Sequence, residues 1–323
     1  MEALLSVKNL SIGIRRDSGL LSSVEDVSLD IYPGDIVGIV GESGSGKSLT
    51  ALSIPGLLGD NKKVTCGSIV FDNRDLFALN ERELEDIRGK EISMIFQEPF
   101  SSLNPLVKAG AQIAEALTLH DKSARPLANN TVRDIMRRLE LLEPEKLMNA
   151  YPHQLSGGMC QRIMIAAALI CRPRLLIADE PTTALDQDTQ GQILALMKEI
   201  NRNFGTTILF ISHDLSLIKD FCGRVLIMYS GRILEEGSAE EIFTHPAHEY
   251  TRGLLGCIPG RAKKGTDLAA IPGKIPSLEE GRPKGCPFHP RCGKASAACK
   301  GEFPPARTLS ATHKTHCVLE AGE

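Results

Sequence analysis

A chain of 323 residues, 42% hydrophobic and 24% charged, is long enough for a sizeable core and more than one domain. A net charge of −3, a pI near 6.3, only 4% aromatic residues and no Trp argue against a nucleic-acid-wrapping surface or a base-stacking platform. The longest strongly apolar run, residues 163–171, is nine residues, too short to cross a bilayer, and the N-terminus lacks the basic start of a signal peptide, so the chain reads as cytoplasmic.

In chain order, residues 4–12 and 24–31 alternate apolar and polar and predict strands, with a turn over 15–19 between them. A second turn at Pro33-Gly34-Asp35 precedes the apolar run Ile36-Val-Gly-Ile-Val40, a buried strand. Then comes Gly41-Glu42-Ser43-Gly44-Ser45-Gly46-Lys47-Ser48, followed by Leu49 and a helix that Pro55 should end. The spacing is G-x-x-x-x-G-K-S in a strand–loop–helix setting, the pattern of a phosphate-binding loop. Gly41, Gly44 and Gly46 let the backbone curl so that successive N–H groups cradle phosphate oxygens, and the helix start adds unpaired N–H groups. Lys47 brings a full charge to the outer phosphates, and the Ser48 hydroxyl can ligate Mg²⁺.

Residues 67–72 predict another strand, 81–88 a short charged helix, and 92–96 a buried strand ending at Gln97. Pro99 and Pro105 bracket a loop. Helical spacing follows over 107–119 (Ile113, Ala116, Leu117) and 131–142 (Ile135, Leu139, Leu142), so about 98–165 forms a helical insert. It ends in Leu155-Ser156-Gly157-Gly158-Met159 at the start of a helix. Residues 175–180, Leu-Leu-Ile-Ala-Asp-Glu, are a second buried strand that delivers Asp179 and Glu180 at its C-terminal end, where ligands bind in parallel sheets. Asp179 suits Mg²⁺, and Glu180 suits a general base for an in-line water. A helix over 189–201, a strand over 206–212 ending at His213, a helix over 215–221 and a hairpin about Ser230-Gly231 complete an alternating α/β pattern, a mainly parallel sheet covered by helices.

At this point the chain resembles ABC-type ATPases. The resemblance rests on residues 41–48, Gln97, Leu155-Ser-Gly-Gly-Met-Cys-Gln161, residues 175–180, Ala184-Leu-Asp186 and His213, in order over about 250 residues. It implies a P-loop NTPase core with an N-terminal antiparallel β subdomain and a helical insert, filling residues 1–258. It also implies ATP and Mg²⁺ as ligands. Gln97 then touches Mg²⁺ or the attacking water, His213 contacts the γ-phosphate and positions Glu180, and Ser156, Gly157 and Gly158 receive the ATP of a second subunit. Asp186 crosses to that subunit. Two departures stand out: no aromatic residue precedes the loop at Ile12-Gly-Ile14-Arg-Arg16, so adenine contact falls to Ile14 or an Arg guanidinium, and Met159 replaces the commoner Gln.

Finer features, Gln97-Glu-Pro-Phe-Ser-Ser-Leu-Asn-Pro105 and His245-Pro-Ala-His-Glu-Tyr-Thr251 among them, resemble the ATPase subunits of peptide and nickel importers, the oligopeptide/dipeptide "D" type above all. This implies a heterodimer with a second ABC ATPase, two membrane-spanning permease subunits, an external solute-binding protein, and a peripheral position on the cytoplasmic face of the membrane. A nickel or other small-solute importer, a soluble ABC ATPase acting on nucleic acid, and a metal-sensing module are the competing readings.

Residues 259–285 hold four Pro and five Gly and read as a linker within a C-terminal extension over 259–323. Beyond it Cys286, Cys292, Cys299 and Cys317 are spaced C-x5-C-x6-C-x17-C, with His289, His313 and His316 interleaved. In a cytoplasmic chain this crowding suggests a metal site before a disulfide. The extension resembles that of importer ATPases that hold a [4Fe–4S] cluster on four cysteines; zinc, and unligated thiols or a disulfide, are the alternatives.

Overall fold

The computed structural model describes residues 2–17, 19–183, 185–258 and 270–319. It divides into two compact units, residues 1–77 with 211–323, and residues 78–210. The first unit opens with the antiparallel pair β1 (Leu5–Arg16) and β2 (Gly19–Ile31); Leu5, Val7, Leu10 and Ile12 are buried, but the alternation slips by one residue between Val7 and Leu10, where the pairing shifts register at Asn9, φ 48°. Both strands run further into the predicted turn than the alternation indicates, because cross-strand pairing continues to Arg16 and Gly19. β3 (Ile36–Val40) leads to helix α1 (Lys47–Ser53), which stops before Pro55. β4 (Lys62–Phe71) and β5 (Arg74–Asp75) complete a four-stranded sheet in the order β2-β1-β4-β5.

The second unit begins with α2 (Glu81–Ile87), fixed by a capping box between Asn80 and Glu83, and β6 (Ile92–Ile95). The predicted loop between the two prolines contains one helical turn, α3 (Pro99–Ser102), started by a proline whose missing N–H costs nothing there. α4 (Ala109–His120), α5 (Ala128–Arg138), α6 (Pro144–Leu147) and α7 (Gly157–Leu169) follow. α4, α5 and α7 pack on one another. The expected helix over 131–142 is displaced toward the N-terminus. Its buried stripe is Val132, Met136 and Leu139 rather than Ile135, Leu139 and Leu142. The left-handed backbone of Glu140 ends the helix and leaves Leu142 exposed. β7 (Leu175–Asp179) is buried at every position, and it pairs in parallel with β6. α8 (Gln187–Phe204) leads to β8 (Thr207–Ser212), whose first four residues belong to this unit beside β7.

The chain then returns to the first unit through α9 (Leu215–Phe221), the hairpin β9 (Arg224–Tyr229) and β10 (Arg232–Ser238), α10 (Ala239–Thr244) and α11 (Glu249–Gly256). β9 lies parallel to β3 and antiparallel to β10. Two short C-terminal strands, β11 (Arg307–Thr308) and β12 (Lys314–Thr315), extend this side in the order β11-β12-β10-β9-β3.

The C-terminal segment is tied down by a buried charge. Glu235 on β10 is 1% exposed and accepts from His313 Nε2 at 2.7 Å, the Ala247 N–H at 2.7 Å, the His248 N–H at 2.9 Å and Thr251 Oγ1 at 2.5 Å. Burial alone would push this carboxyl up, but those hydrogen bonds outweigh it and hold the group below the ordinary carboxylate range. His313, one of the interleaved histidines, is thereby committed to the fold. His316 stacks on Phe303 and faces the Pro304 carbonyl through Nδ1 at 2.8 Å. Among the described residues no helix is long and apolar enough to cross a membrane.

Candidate active site

In the first unit β3 delivers the chain into residues 41–48, and α1 begins at Lys47. The Lys47 side chain is buried and turns back over the loop, where its ammonium donates to the Gly41 carbonyl at 2.7 Å and the Glu42 carbonyl at 3.0 Å. Ser45 is fully buried, Ser43 and Gly44 are exposed, and Ser48 and Leu49 lie in the first turn of α1. Gly41 is required by packing: a Cβ there would lie 2.0 Å from the Met228 carbonyl of β9. Gly44 is required by conformation alone, with φ +80° and open space around it. Gly46 adopts φ 103° as the residue before the helix. The arrangement is a curled backbone with a cation above it, which can hold a polyphosphate.

The loop has partners that no motif announced. The Glu42 N–H donates to the Tyr250 hydroxyl at 2.9 Å, and the Glu42 carboxylate is gripped by both terminal nitrogens of Arg291, at 2.7 and 3.1 Å. Arg291 is 249 positions away in sequence, and only its place beside Cys292 marked its neighbourhood. Tyr250 lies in segment 245–251. That segment now has a physical account, because Tyr250 reaches the loop while His248 and Thr251 serve Glu235.

His213 lies just past β8 and is exposed. The neighbouring Ser212 hydroxyl accepts from the Asp214 N–H at 2.9 Å, and Asp214 in turn caps α9. Ile14 is buried at 7% exposure in β1, so it does not offer the surface expected for adenine. The exposed side chains at that end of the hairpin include Arg15, Arg16, Asp17 and Leu20.

In the second unit Gln97 and Glu180 come together. The Gln97 amide donates to Glu180 Oε2 at 3.1 Å, and Thr183 Oγ1 reaches the same oxygen at 3.3 Å. Glu180 has φ 48°, a left-handed conformation that a non-glycine residue adopts at a cost of about 1–2 kcal/mol. It turns the chain sharply after β7, so Asp179 stays 5% exposed while Glu180 emerges. The adjacent acids therefore differ in exposure. Ser156 caps α7, its hydroxyl accepting from the Met159 N–H at 3.3 Å, with Gly157 and Gly158 in the first turn. A Cβ at Gly157 would be 3.6 Å from Phe100 and one at Gly158 3.4 Å from Leu185, ordinary contacts, so packing within the chain does not demand glycine at either place. Asp186 caps α8. Hydrogen bonds from the Thr189 N–H (2.9 Å) and hydroxyl (2.8 Å) lower its pKa. Ala184 of the expected Ala184-Leu-Asp186 motif lies outside the described residues.

All nine cysteines are free thiols, so the disulfide alternative is not realised. Cys286, Cys292, Cys299 and Cys317 line one small cavity together with His248 and His289. Burial pushes Cys286 up to about 12, and Cys292 and Cys317 are raised by the same cause. Among the described residues no group of three or more His, Cys, Asp or Glu is placed to hold a metal ion.

Residues 24–183 match the family described as ABC transporter, and residues 234–299 match the oligopeptide/dipeptide transporter C-terminal region. The chain is 45% identical over 321 residues to the oligopeptide transport ATP-binding protein OppD of Haemophilus influenzae, covering 99% of this chain and 98% of that one. It is 44% identical to the dipeptide transport ATP-binding protein DppD of Bacillus subtilis, covering 99% and 96%. Among solved structures it is similar to the dimeric post-hydrolysis state of the ATP-binding cassette MJ0796 bound to ADP and Pi, with TM-score 0.67 and 31% identity over 73% of this chain and 98% of that one. With a P-loop, a hydrogen-bonded Gln97–Glu180 pair and a capped Leu-Ser-Gly-Gly helix on one chain, and relatives of this similarity over nearly its whole length, the protein belongs to the ABC transporter ATP-binding subunits of the oligopeptide/dipeptide type, which are ATPases.

Proposed function

We propose that this chain powers import of dipeptides or oligopeptides, as one of two ATPase subunits on the cytoplasmic face of a transporter with two permease subunits and an external solute-binding protein. What supports the solute class is similarity to oligopeptide and dipeptide transport subunits that extends through the C-terminal region as well as the ATPase core. On this reading the N–H groups of residues 41–49 and Lys47 take the phosphates. Ser48, Asp179 and Gln97 carry the hard oxygens that would hold Mg²⁺, whose charge would offset that of the phosphates. Glu180, turned out from β7, accepts the proton of the attacking water, and His213 orients it. Ser156, Gly157, Gly158 and Asp186 serve the ATP of the second subunit. That role explains glycines that this chain's own packing does not require. A heterodimer with a related ATPase is the assembly we favour.

Reconstitution with the co-purified membrane subunits tests the reading. Peptide-loaded binding protein should raise ATP turnover several-fold and drive peptide uptake. Stimulation by a nickel chelate with none by peptides would overturn the solute class. A single ATPase polypeptide in the intact complex would overturn the heterodimer.

The cysteine cavity supports a second element of the proposal, a [4Fe–4S] cluster on Cys286, Cys292, Cys299 and Cys317. Four thiols on one desolvated cavity suit such a cluster. Its role would be structural or regulatory, since the groups for ATP hydrolysis are complete without it. Anaerobic purification should yield about four iron and four sulfide per chain. Zinc, or no metal, in that preparation would overturn the cluster.

A further inference from the structure

The P-loop is held from the C-terminal segment by two arginines. Arg291 lies in the turn between Cys286 and Cys292, where the His289 N–H donates to the Cys286 carbonyl and the Cys292 N–H to the His289 carbonyl. Its side chain is almost wholly buried and is not among those that line the cysteine cavity. Besides its fork onto Glu42, it donates from Nε to the Pro272 carbonyl at 2.7 Å and from Nη1 to the Tyr229 hydroxyl at 3.3 Å. Phe288, in the same turn, packs edge-on against Tyr229 and tilted against Tyr250, whose hydroxyl accepts the Glu42 N–H. The second arginine, Arg282, donates from Nε to the Ser230 carbonyl at 2.5 Å and pairs with Glu25. The next residue, Gly231, donates its N–H to the Ser45 carbonyl at 2.8 Å. The second and fifth residues of the loop thus each have a support that leads back to the C-terminal segment.

We propose that Arg291 is a positioning residue for nucleotide binding, and that through it the cysteine cavity and the P-loop are coupled, so that a closed sulfur site and an occupied loop favour each other. The electrostatics give the reason. Glu42 places a carboxylate on a loop built to receive phosphate, and like charge there opposes the ligand. The bidentate guanidinium neutralises that carboxylate and fixes its direction, which fixes the loop backbone as well. Arg291 is one bond from Cys292, so a change at the sulfurs shifts the turn that carries the guanidinium. Reciprocity follows, because whatever the sulfur site does to nucleotide affinity, nucleotide does to the sulfur site. The coupling to an assembled metal site rests on the cluster reading above; the positioning role does not.

The test uses the full chain as purified. Arg291→Gln should raise KM for ATP about tenfold and leave kcat within about twofold, because Gln97 and Glu180 are untouched. Arg291→Lys keeps the charge without the fork and should recover part of the loss. Adding Glu42→Gln to Arg291→Gln should recover part as well, since the carboxylate left unpaired is then gone, which loss of packing alone would not predict. Independently of turnover, a non-hydrolysable ATP analogue should slow alkylation of Cys292 by about threefold or more in the unaltered chain and have no effect in Arg291→Gln. Melting curves confirm that each variant is folded. A folded Arg291→Gln with unchanged KM would overturn the positioning role. Cys292 alkylation indifferent to the analogue in the unaltered chain would overturn the coupling. Absence of iron would overturn the cluster alone, because the alkylation arm reads the thiols whether or not they hold metal.

Discussion

The Gln97 amide and the Glu180 carboxylate are joined by a hydrogen bond of 3.1 Å, although 83 positions separate them in sequence. Gln97 follows β6, Glu180 follows β7, and the two strands pair in parallel with Ile95 opposite Ala178. Strand register therefore brings the pair together. The left-handed turn at Glu180 then lifts its carboxylate to meet the amide. Replacing Glu180 with Gln keeps the shape and removes the carboxylate proposed as the base. Turnover should fall about 10²–10⁴-fold with ATP still bound, read by steady-state hydrolysis beside equilibrium binding. Near-normal hydrolysis would remove Glu180 as the base.

Lys47 stands on the Gly41 and Glu42 carbonyls, a buried ammonium committed to its own loop. Lys47→Ala removes charge-assisted hydrogen bonds to phosphate as well as this internal brace. Affinity for a non-hydrolysable ATP analogue should drop about 10–100-fold, measured by equilibrium dialysis. Retained affinity would place the phosphate elsewhere.

Gly41 and Gly44 are required by different physics and should respond differently. Gly44→Ala meets nothing within 4 Å and costs only its left-handed φ, about 1–2 kcal/mol. Gly41→Ala drives a methyl to 2.0 Å from the Met228 backbone carbonyl, which cannot swing aside as a side chain could. Thermal melts and ATP binding should show the larger loss for Gly41→Ala, and the reverse order would refute the packing argument.

Glu235 makes acid stability measurable. Its pKa is held below the ordinary 4.5, so its contribution is present in full above that value and is lost as pH falls further. Denaturant melts should show stability declining below about pH 4.5. Glu235→Ala, which leaves four buried donors without their acceptor, should cost roughly 3–5 kcal/mol at pH 7 and flatten that decline. An unchanged midpoint at pH 7 would show that the network does not hold the C-terminal segment.

The elements that carry the loop and the acidic strand end are legible in the sequence, and the reasons are local. Residues 41–48 encode a loop through glycine spacing and a flanking strand and helix, and residues 175–180 encode a buried strand ending in acids. The elements formed where these patterns placed them. The stripe Ile135, Leu139, Leu142 was misread because two apolar frames fit α5, and only packing selected Val132, Met136 and Leu139. The burial of Ile14 was equally hidden, since alternation says which residues share a face but not how much of it is covered.

The sequence by itself determined where the P-loop and the acidic strand end lie, because each is a run of neighbours whose spacing is set by the backbone. Only the tertiary structure decided that Gln97 holds Glu180, that Arg291 and Tyr250 hold Glu42, and that the four cysteines share one cavity. Such contacts depend on strand register and on how side chains fill space. Nothing in the local sequence at Glu42 specifies an arginine 249 positions away.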